Sequence, residues 1–497
     1  MSEIDTPEHL LDFIQQKTGA DHIEALEYRS LAGGAVQENH GLHVRMTGGS
    51  LPGEHRFVVR SDAPVALSVS LSRAHEFEIL RAACEAGVSA PQPRWLSADK
   101  SVAGPAFYIM DWAEGTANAR ALVKDDALTA TQRQQLMHDL GSNLARLHAI
   151  QYTPGRLPFL AAPGPDPAQT QIEACRQLLN RFEEPHPAIE LGLQYLADHR
   201  PAQQDLVLCH SDFRTGNYLV AEGRLTAILD WEFASWSDPY EDLGWMCARC
   251  WRFGRPDREA GGVGSKEDLF AGYESVSGHK IDPHRLAYWE LMAIVRWAVL
   301  ALEQSYRHRS GQQESLELAL TGRMVPEIQQ DLILQLRELT DIAKDTPTPI
   351  NPGAATSTPA TGPQQPLDPY RDQPDAGALL KVARALLLAE LLPALPQDQR
   401  YNALMIANAL GIAIREQTTG DTMAAAQHAA IQAFYQAQGA GQPDADIRRL
   451  VQDIRDGRYT AAGTPGLLNL LDTLVNLKLS LSNPRRISSA QSPKAAS

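Results

Sequence analysis

The 497-residue chain has few cysteines, no long apolar run and no excess of positive charge. Its five cysteines, Cys84, Cys175, Cys209, Cys247 and Cys250, are an odd and sparse set. A chain of this length can bury a core without disulfides, so the set reads as reduced thiols in a cytoplasmic protein. The most apolar stretches are interrupted, Met292–Leu302 by Arg296 and Ala385–Leu395 by Glu390 and Pro393. Neither approaches the ~18 consecutive apolar residues of a spanning helix, so no membrane segment is expected. The opening MSEIDTPEHL carries acids and no apolar centre, unlike a signal peptide. Lys and Arg total 45 against 60 Asp and Glu, a formal charge of −15. That balance argues against general nucleic-acid or anionic-membrane binding, and leaves room for a local basic pocket.

What is present is ordinary for a soluble globular protein, 43% hydrophobic and 21% charged residues. The length suits two or three domains. Residues 344–366, KDTPTPINPGAATSTPATGPQQP, hold six prolines and no aromatic residue. Such a segment buries too little apolar surface to offset its ordering entropy, and it reads as a linker. It separates a unit spanning 1–343 from one spanning 367–482. The tail 483–497 reads as disordered, and no internal repeat is visible.

Periodicity places a helix at His9–Thr18 and strands at Ile23–Tyr28, Asn39–Met46 and Arg56–Arg60. A helix follows at Ser72–Ala86 and a strand at Ala106–Met110. From Thr131 the pattern is helical, interrupted by strand-turn units around Val207–Val220 and Leu225–Leu229. Strands first and helices second imply an α+β plan, a small sheet lobe followed by a larger helical lobe. The second unit reads as five helices, Ala376–Leu395, Tyr401–Glu416, Ala424–Gln438, Asp444–Arg455 and Pro465–Leu481. Short connections favour an antiparallel all-α bundle.

The chemistry concentrates in LCHSDFRTGNYLVAEGRLTAILDWEFASWSDPYEDL, residues 208–243. Phosphoryl transfer to an alcohol needs a carboxylate to orient or deprotonate the hydroxyl, and hard oxygen ligands for magnesium. Asp212 suits the first task; Asn217 and Asp230 suit the second. A hairpin turning at Glu222-Gly223 would return the chain beside its start, so the three can converge. Each alone is an ordinary turn or capping residue. Their joint spacing, each beside an apolar strand, is what carries the reading.

This segment resembles the aminoglycoside phosphotransferase and choline-kinase family, small-molecule kinases with a protein-kinase-like fold. The family pattern is close to H-G-D-[LF]-x-x-x-N followed by I-D-[WF]-E. Here His210 opens the first motif, and Ser211 replaces the usual glycine. Leu31–Asn39, with Gly33-Gly34, stands where the family covers the nucleotide. Arg60 stands where a lysine pairs with the phosphates, and Glu76 where a helical glutamate pairs with that base. Phe107–Asp111 resembles the lobe-connecting strand, which implies adenine contacts at Met110 and Asp111. Asp238 and Asp242 match the segment that supports the catalytic loop.

Arg60 is a departure that matters, because guanidinium and ammonium differ at a phosphate clamp. With Val58 and Val59 before it, it resembles one branch of the family, the kinase domains fused to acyl-CoA dehydrogenases. Tyr288–Gln304 and Ser315–Arg323 (SLELALTGR) resemble that branch as well. Residues 372–375, 385–395 and 402–416 resemble a small helical domain of undefined chemistry, which in bacteria is fused to such kinases or encoded beside them. It is expected to dock on the kinase domain.

Two weaker signals stand apart. Cys247-x-x-Cys250 has no second pair and reads as buried thiols rather than a zinc site. Arg249, Arg252 and Arg255 read as a solvated face, or else as an edge that binds an anionic substrate. The resemblance implies ATP- and Mg2+-dependent phosphorylation of a small-molecule hydroxyl. The acceptor it implies is a hydroxyacyl-CoA such as a 4-hydroxyacyl-CoA. An aminoglycoside or amino alcohol is the alternative acceptor, and a non-catalytic nucleotide-binding scaffold is the alternative of another class. Oligomeric state stays open, a homo-oligomer included.

Overall fold

The computed structural model describes residues 8–31, 37–62, 70–97, 106–164, 166–202, 206–342, 376–397, 399–439 and 446–491. The Gly33-Gly34 turn and the linker at 344–366 lie outside the described residues. The chain forms two compact units, residues 1–168 with 201–293, and residues 169–200 with 294–497.

The first unit opens with helix α1 (Glu8–Thr18) and strands β1 (His22–Ser30), β2 (Gln37–Thr47) and β3 (Gly53–Asp62). Helix α2 (Arg73–Glu85) and strands β4 (Pro93–Ser97) and β5 (Phe107–Asp111) follow. The five strands form one antiparallel sheet in the order β1-β2-β3-β5-β4. Alternation divides β3 between the two faces. Phe57 and Val59 join Leu10, Ile14, Leu42, Val44 and Ile109 in the core beneath α1. Arg60 therefore points to the other face, where α2 carries buried Glu76. Ser72 caps α2 by accepting from the His75 N–H.

The rest of this unit is built on α4 (Ala130–His148) and α8 (Lys266–Ser277), with short α3 (Ala119–Lys124) before them. Gly141 and Gly272 let α4 and α8 pack backbone to backbone, since a Cβ at either would strike a carbonyl oxygen of the facing helix. Between them in sequence lie β6 (Val207–Cys209), the hairpin β7 (Tyr218–Ala221) and β8 (Arg224–Ile228), β9 (Ser235–Ser237) and α7 (Tyr240–Cys247). β6 pairs with β9, and β7 with β8.

The second unit contains α5 (Pro167–Leu179, from Gln169), α6 (Pro187–Asp198), α9 (Pro283–Arg309, from Ile294), α10 (Leu316–Arg323) and α11 (Val325–Leu339). Its C-terminal part is α12 (Ala376–Leu386), α13 (Arg400–Ala437), α14 (Ile447–Arg455), α15 (Leu467–Ser482) and α16 (Pro484–Gln491). The α12 helix runs on through a π-turn at Leu387–Leu391 to Ala394. The units thus cut across the boundary expected at 343/367. The reason is packing: α14 lies along α6 and α15 along α11. Glu190 of α6, 1% exposed in its side chain, is bonded by Arg455 of α14 and by Arg176 at 2.7 Å.

Two further expectations change. Tyr401–Glu416 and Ala424–Gln438 are one helix, α13, not two. Gly420 costs a helix interior only about 1 kcal/mol, and the hydroxyls of Thr418 and Thr419 bond back to the carbonyls of Ile414 and Arg415. The tail is helical at 484–491. Its Arg486 bonds Gln330 at 2.8 Å and Asp331 at 2.5 Å on α11. Among the described residues, no helix is long and apolar enough to cross a membrane.

Candidate active site

The catalytic segment is shaped by its turns. Glu222 and Gly223 both have left-handed φ, 52° and 77°. This is the backbone twist a two-residue hairpin requires. The hairpin carries the chain back so that the Leu229 N–H reaches the Asn217 carbonyl at 2.8 Å. Asp230 follows at φ 70°, which aims its carboxylate back toward the sheet. The Arg60 guanidinium meets it at 2.6 Å. The same guanidinium lies 3.0 Å from Glu76. Arg60, Glu76 and Asp230 are thus one ionic cluster.

Asp212 is joined to Asn217, whose amide nitrogen donates to Asp212 Oδ2 at 2.6 Å and to its carbonyl at 2.9 Å. That fixes the amide with its oxygen turned away from Asp212. The other carboxylate oxygen, Oδ1, accepts from the Trp245 indole at 2.8 Å and from Arg214 Nε at 3.1 Å.

Beneath the loop, Asp242 accepts from the backbone N–H groups of His210 and Ser211, both at 2.7 Å, and pairs with His148 at 3.2 Å. Burial opposes its charge, yet the His148 ring and these N–H groups outweigh it and hold the carboxyl below its usual range. His148, Cys209 and Asp242 bring ligand atoms together as a metal site would. The His148 and Asp242 atoms are already spent on one another, on Tyr273 and on the loop backbone.

The sequence profile of the Phosphotransferase enzyme family matches residues 35–279. That segment is a phosphotransferase-family domain. The profile of the Domain of unknown function (DUF6285) matches residues 393–486. Acyl-CoA dehydrogenase family member 10 of Mus musculus is 29% identical over 178 residues, covering 35% of this chain and 16% of that protein. Family member 11 of Pongo abelii is 26% identical over 245 residues, covering 46% and 31%. The chain therefore spans under a third of the length of these relatives. A crystal structure of a putative aminoglycoside phosphotransferase from Ralstonia eutropha JMP134 superposes with a TM-score of 0.53 at 20% identity, covering 67% of this chain and 98% of that one. The fold is accordingly kinase-like, a sheet lobe and a helical lobe, with a further C-terminal helical region.

Within the phosphotransferase domain, the structure brings together Arg60, Glu76 and Asp230, and separately Asp212 and Asn217. Burial opposes the charges of Arg60 and Asp230, but Glu76 first and Asp230 after it raise the pKa of Arg60, and Arg60 lowers that of Asp230. His210 is a positioning residue. Its ring lies 2.8 Å from the Leu229 carbonyl through Nε2, and Nδ1 accepts from the Asp212 N–H at 3.3 Å. Both nitrogens are committed to backbone groups. Asp238 holds Arg285 at 2.7 Å and the Tyr240 N–H at 2.9 Å, one step from the loop that Asp242 holds directly. Met110 and Asp111 lie inside the sheet. The Asp111 carboxylate grips Arg94 through two 2.7 Å bonds.

Arg252 is buried, bonded to the Cys247 carbonyl and paired with Glu259, while Arg255 pairs with Asp257. The three arginines therefore form neither one solvated face nor one anion edge. Cys247 is buried and Cys250 half-buried. Sequence reasoning missed Arg73, Arg214, Trp245 and His148. Arg73 bonds Glu76 from three residues away on the same helix, a spacing that could have revealed it. His148 and Trp245 meet the loop only through the fold.

Proposed function

We propose that the phosphotransferase domain transfers the γ-phosphoryl group of ATP to a hydroxyl of a small molecule, with hydroxyacyl-CoA thioesters as the acceptor class. The observations that carry this are the Asp212–Asn217 pair on a loop held by Asp242 and the Arg60–Glu76–Asp230 cluster, with the hairpin returning Leu229, next to Asp230, to Asn217. The similarity to acyl-CoA dehydrogenase family members supports the acyl-CoA acceptor.

On this reading Asp212 receives the acceptor O–H. As the new O–P bond forms, the hydroxyl proton passes to its carboxylate, the bond from γ-phosphorus to the bridging oxygen breaks, and ADP leaves. Arg60, fixed by Glu76, grips phosphate oxygens. The donor set fits magnesium: the Asp230 carboxylate and the Asn217 amide oxygen are hard ligands. Magnesium, when bound, neutralises phosphate charge.

The test is a phosphate-transfer assay with ATP, magnesium and a panel of 4-hydroxyacyl-CoAs, aminoglycosides and amino alcohols. Transfer to the thioesters is expected; transfer to none of the panel would sink the reading. Calorimetry adds a second test. Asp230→Ala should abolish magnesium-dependent ATP binding, and Asn217→Ala should weaken it less, because a neutral amide contributes less charge. Unaltered MgATP affinity in Asp230→Ala would remove the metal role.

A further inference from the structure

On the flank of Asp212 that faces Trp245, the structure holds a cation set in an aromatic wall. Trp245, whose indole N–H donates to Asp212, lies 5.4 Å from Trp251 ring to ring. Trp251 in turn lies 6.4 Å from Phe253. The Arg214 guanidinium stacks over Trp251 at 4.9 Å from the ring centre. Its Nε reaches Asp212 and its Nη1 reaches the Thr215 carbonyl at 3.4 Å. The Arg214 side chain is 28% exposed, so its outer edge meets solvent beside the carboxylate that would hold the acceptor hydroxyl.

Phe253 adds an independent sign. It is a bulky residue at φ 47°, a conformation costing about 1–2 kcal/mol for an L-residue. Strain of this kind persists where the surroundings over-determine it, and it clusters at functional sites. Here it keeps a ring at the outer end of the wall.

We propose that Arg214, backed by Trp245, Trp251 and Phe253, is the acceptor-reading residue. It selects alcohols that carry a carbonyl or carboxylate oxygen a few bonds from the hydroxyl, and it disfavours cationic acceptors. This rests on the phosphotransferase reading above. The argument is electrostatic. A guanidinium on an aromatic face is a fixed, weakly hydrated donor suited to acyl oxygens. It also offsets the Asp212 charge that would otherwise attract an amine. The flat wall offers apolar surface to the acyl chain between the two oxygens.

The experiment measures ATP-dependent phosphorylation of four probes: a 4-hydroxyacyl-CoA, the free 4-hydroxy acid, the matching diol without a carbonyl, and choline. Wild-type protein should favour the first two. Arg214→Gln should raise the KM for them by about 10- to 100-fold, the scale of one charge-assisted hydrogen bond. The kcat should fall much less, and the preference over the diol should shrink. Arg214→Lys should recover part of the affinity. Preferred transfer to choline, an equal loss of kcat on every acceptor, or no transfer to carbonyl-bearing alcohols by a protein that binds MgATP would overturn the assignment of Arg214. Failure to bind MgATP would instead overturn the phosphotransferase reading itself.

Discussion

Ser211 shows why a residue can depart from a family pattern without loss of the site. Its φ is 63°, in the region where glycine is the low-cost choice. The serine is held there from two sides: its N–H donates to Asp242, and its hydroxyl lies 2.9 Å from that of Ser235. Glycine would relieve about 1 kcal/mol of strain and lose a hydrogen bond of similar size. Ser211→Gly should therefore stay within about 1 kcal/mol of wild type. Ser211→Ala, which keeps the strain and drops the hydroxyl, should be less stable than Ser211→Gly by about 1 kcal/mol. Denaturant unfolding of the three proteins checks the order, and an alanine variant more stable than the glycine one would contradict it. One residue along, Asp212→Asn should lower turnover at least ~10²-fold, within the usual range for a general base. ATP binding should change little, since Asp212 contacts neither Arg60 nor Asp230. A variant retaining a tenth of the wild-type rate would remove the base assignment.

At the scale of elements, the register of β3 against α2 decides whether Arg60 and Glu76 act together. Arg60 faces Tyr108 across the sheet and reaches Glu76 and Asp230 at once, while Arg73 holds Glu76 from its own helix. Arg60 without Glu76 loses the carboxylate that fixes it, and Glu76 without Arg60 has no phosphate-gripping base to position. The double variant Arg60→Met/Glu76→Gln should thus lose little more activity than the worse single variant. Fully additive losses in kcat/KM would show two independent residues. The resemblance is what pointed to this pair, since Arg60 and Glu76 stand where the family has its phosphate-pairing base and the glutamate that fixes it. Asp212, Asn217 and Asp230 were legible in the sequence because a two-residue turn links them. Strand β4 was not: PRWLS is short and opens on proline, and only pairing with β5 makes it a strand. Nor was the support that His148, 94 positions away in the chain, gives to Asp242. The expected break in α13 failed for the opposite reason. The sequence pattern suggested an end at Glu416 and a new start at Ala424, whereas packing of the long helix on α12 and α15 carries it through.

At the scale of the molecule, the C-terminal helices matter through what they cover. The composition of 344–366 suggested a linker between two separate units. Within the second unit, however, Glu190, Arg337 and Asp331 of α6 and α11 are bonded by Arg455, Asn469 and Arg486 from beyond the linker. Gln194 adds a 2.8 Å bond to the Ile454 carbonyl. A chain ending at 343 would keep α6 and α11 but lose these partners and the apolar cover of α15. Breaking buried charge pairs one-sidedly costs about 3–5 kcal/mol where both partners are dry, and less here, because Arg455 and Arg486 are about a third exposed in their side chains. Added to the lost packing, this is comparable with the whole stability of a domain. Residues 1–343 expressed alone should therefore melt well below the full chain or aggregate, and co-expression with 370–497 as a separate chain should restore a soluble pair that purifies together. Arg455→Ala in the intact protein should lower the melting temperature by a few degrees, since Glu190 retains Arg176. A soluble, monomeric 1–343 fragment that melts with the full-length protein would show that these helices are a passenger rather than part of the fold.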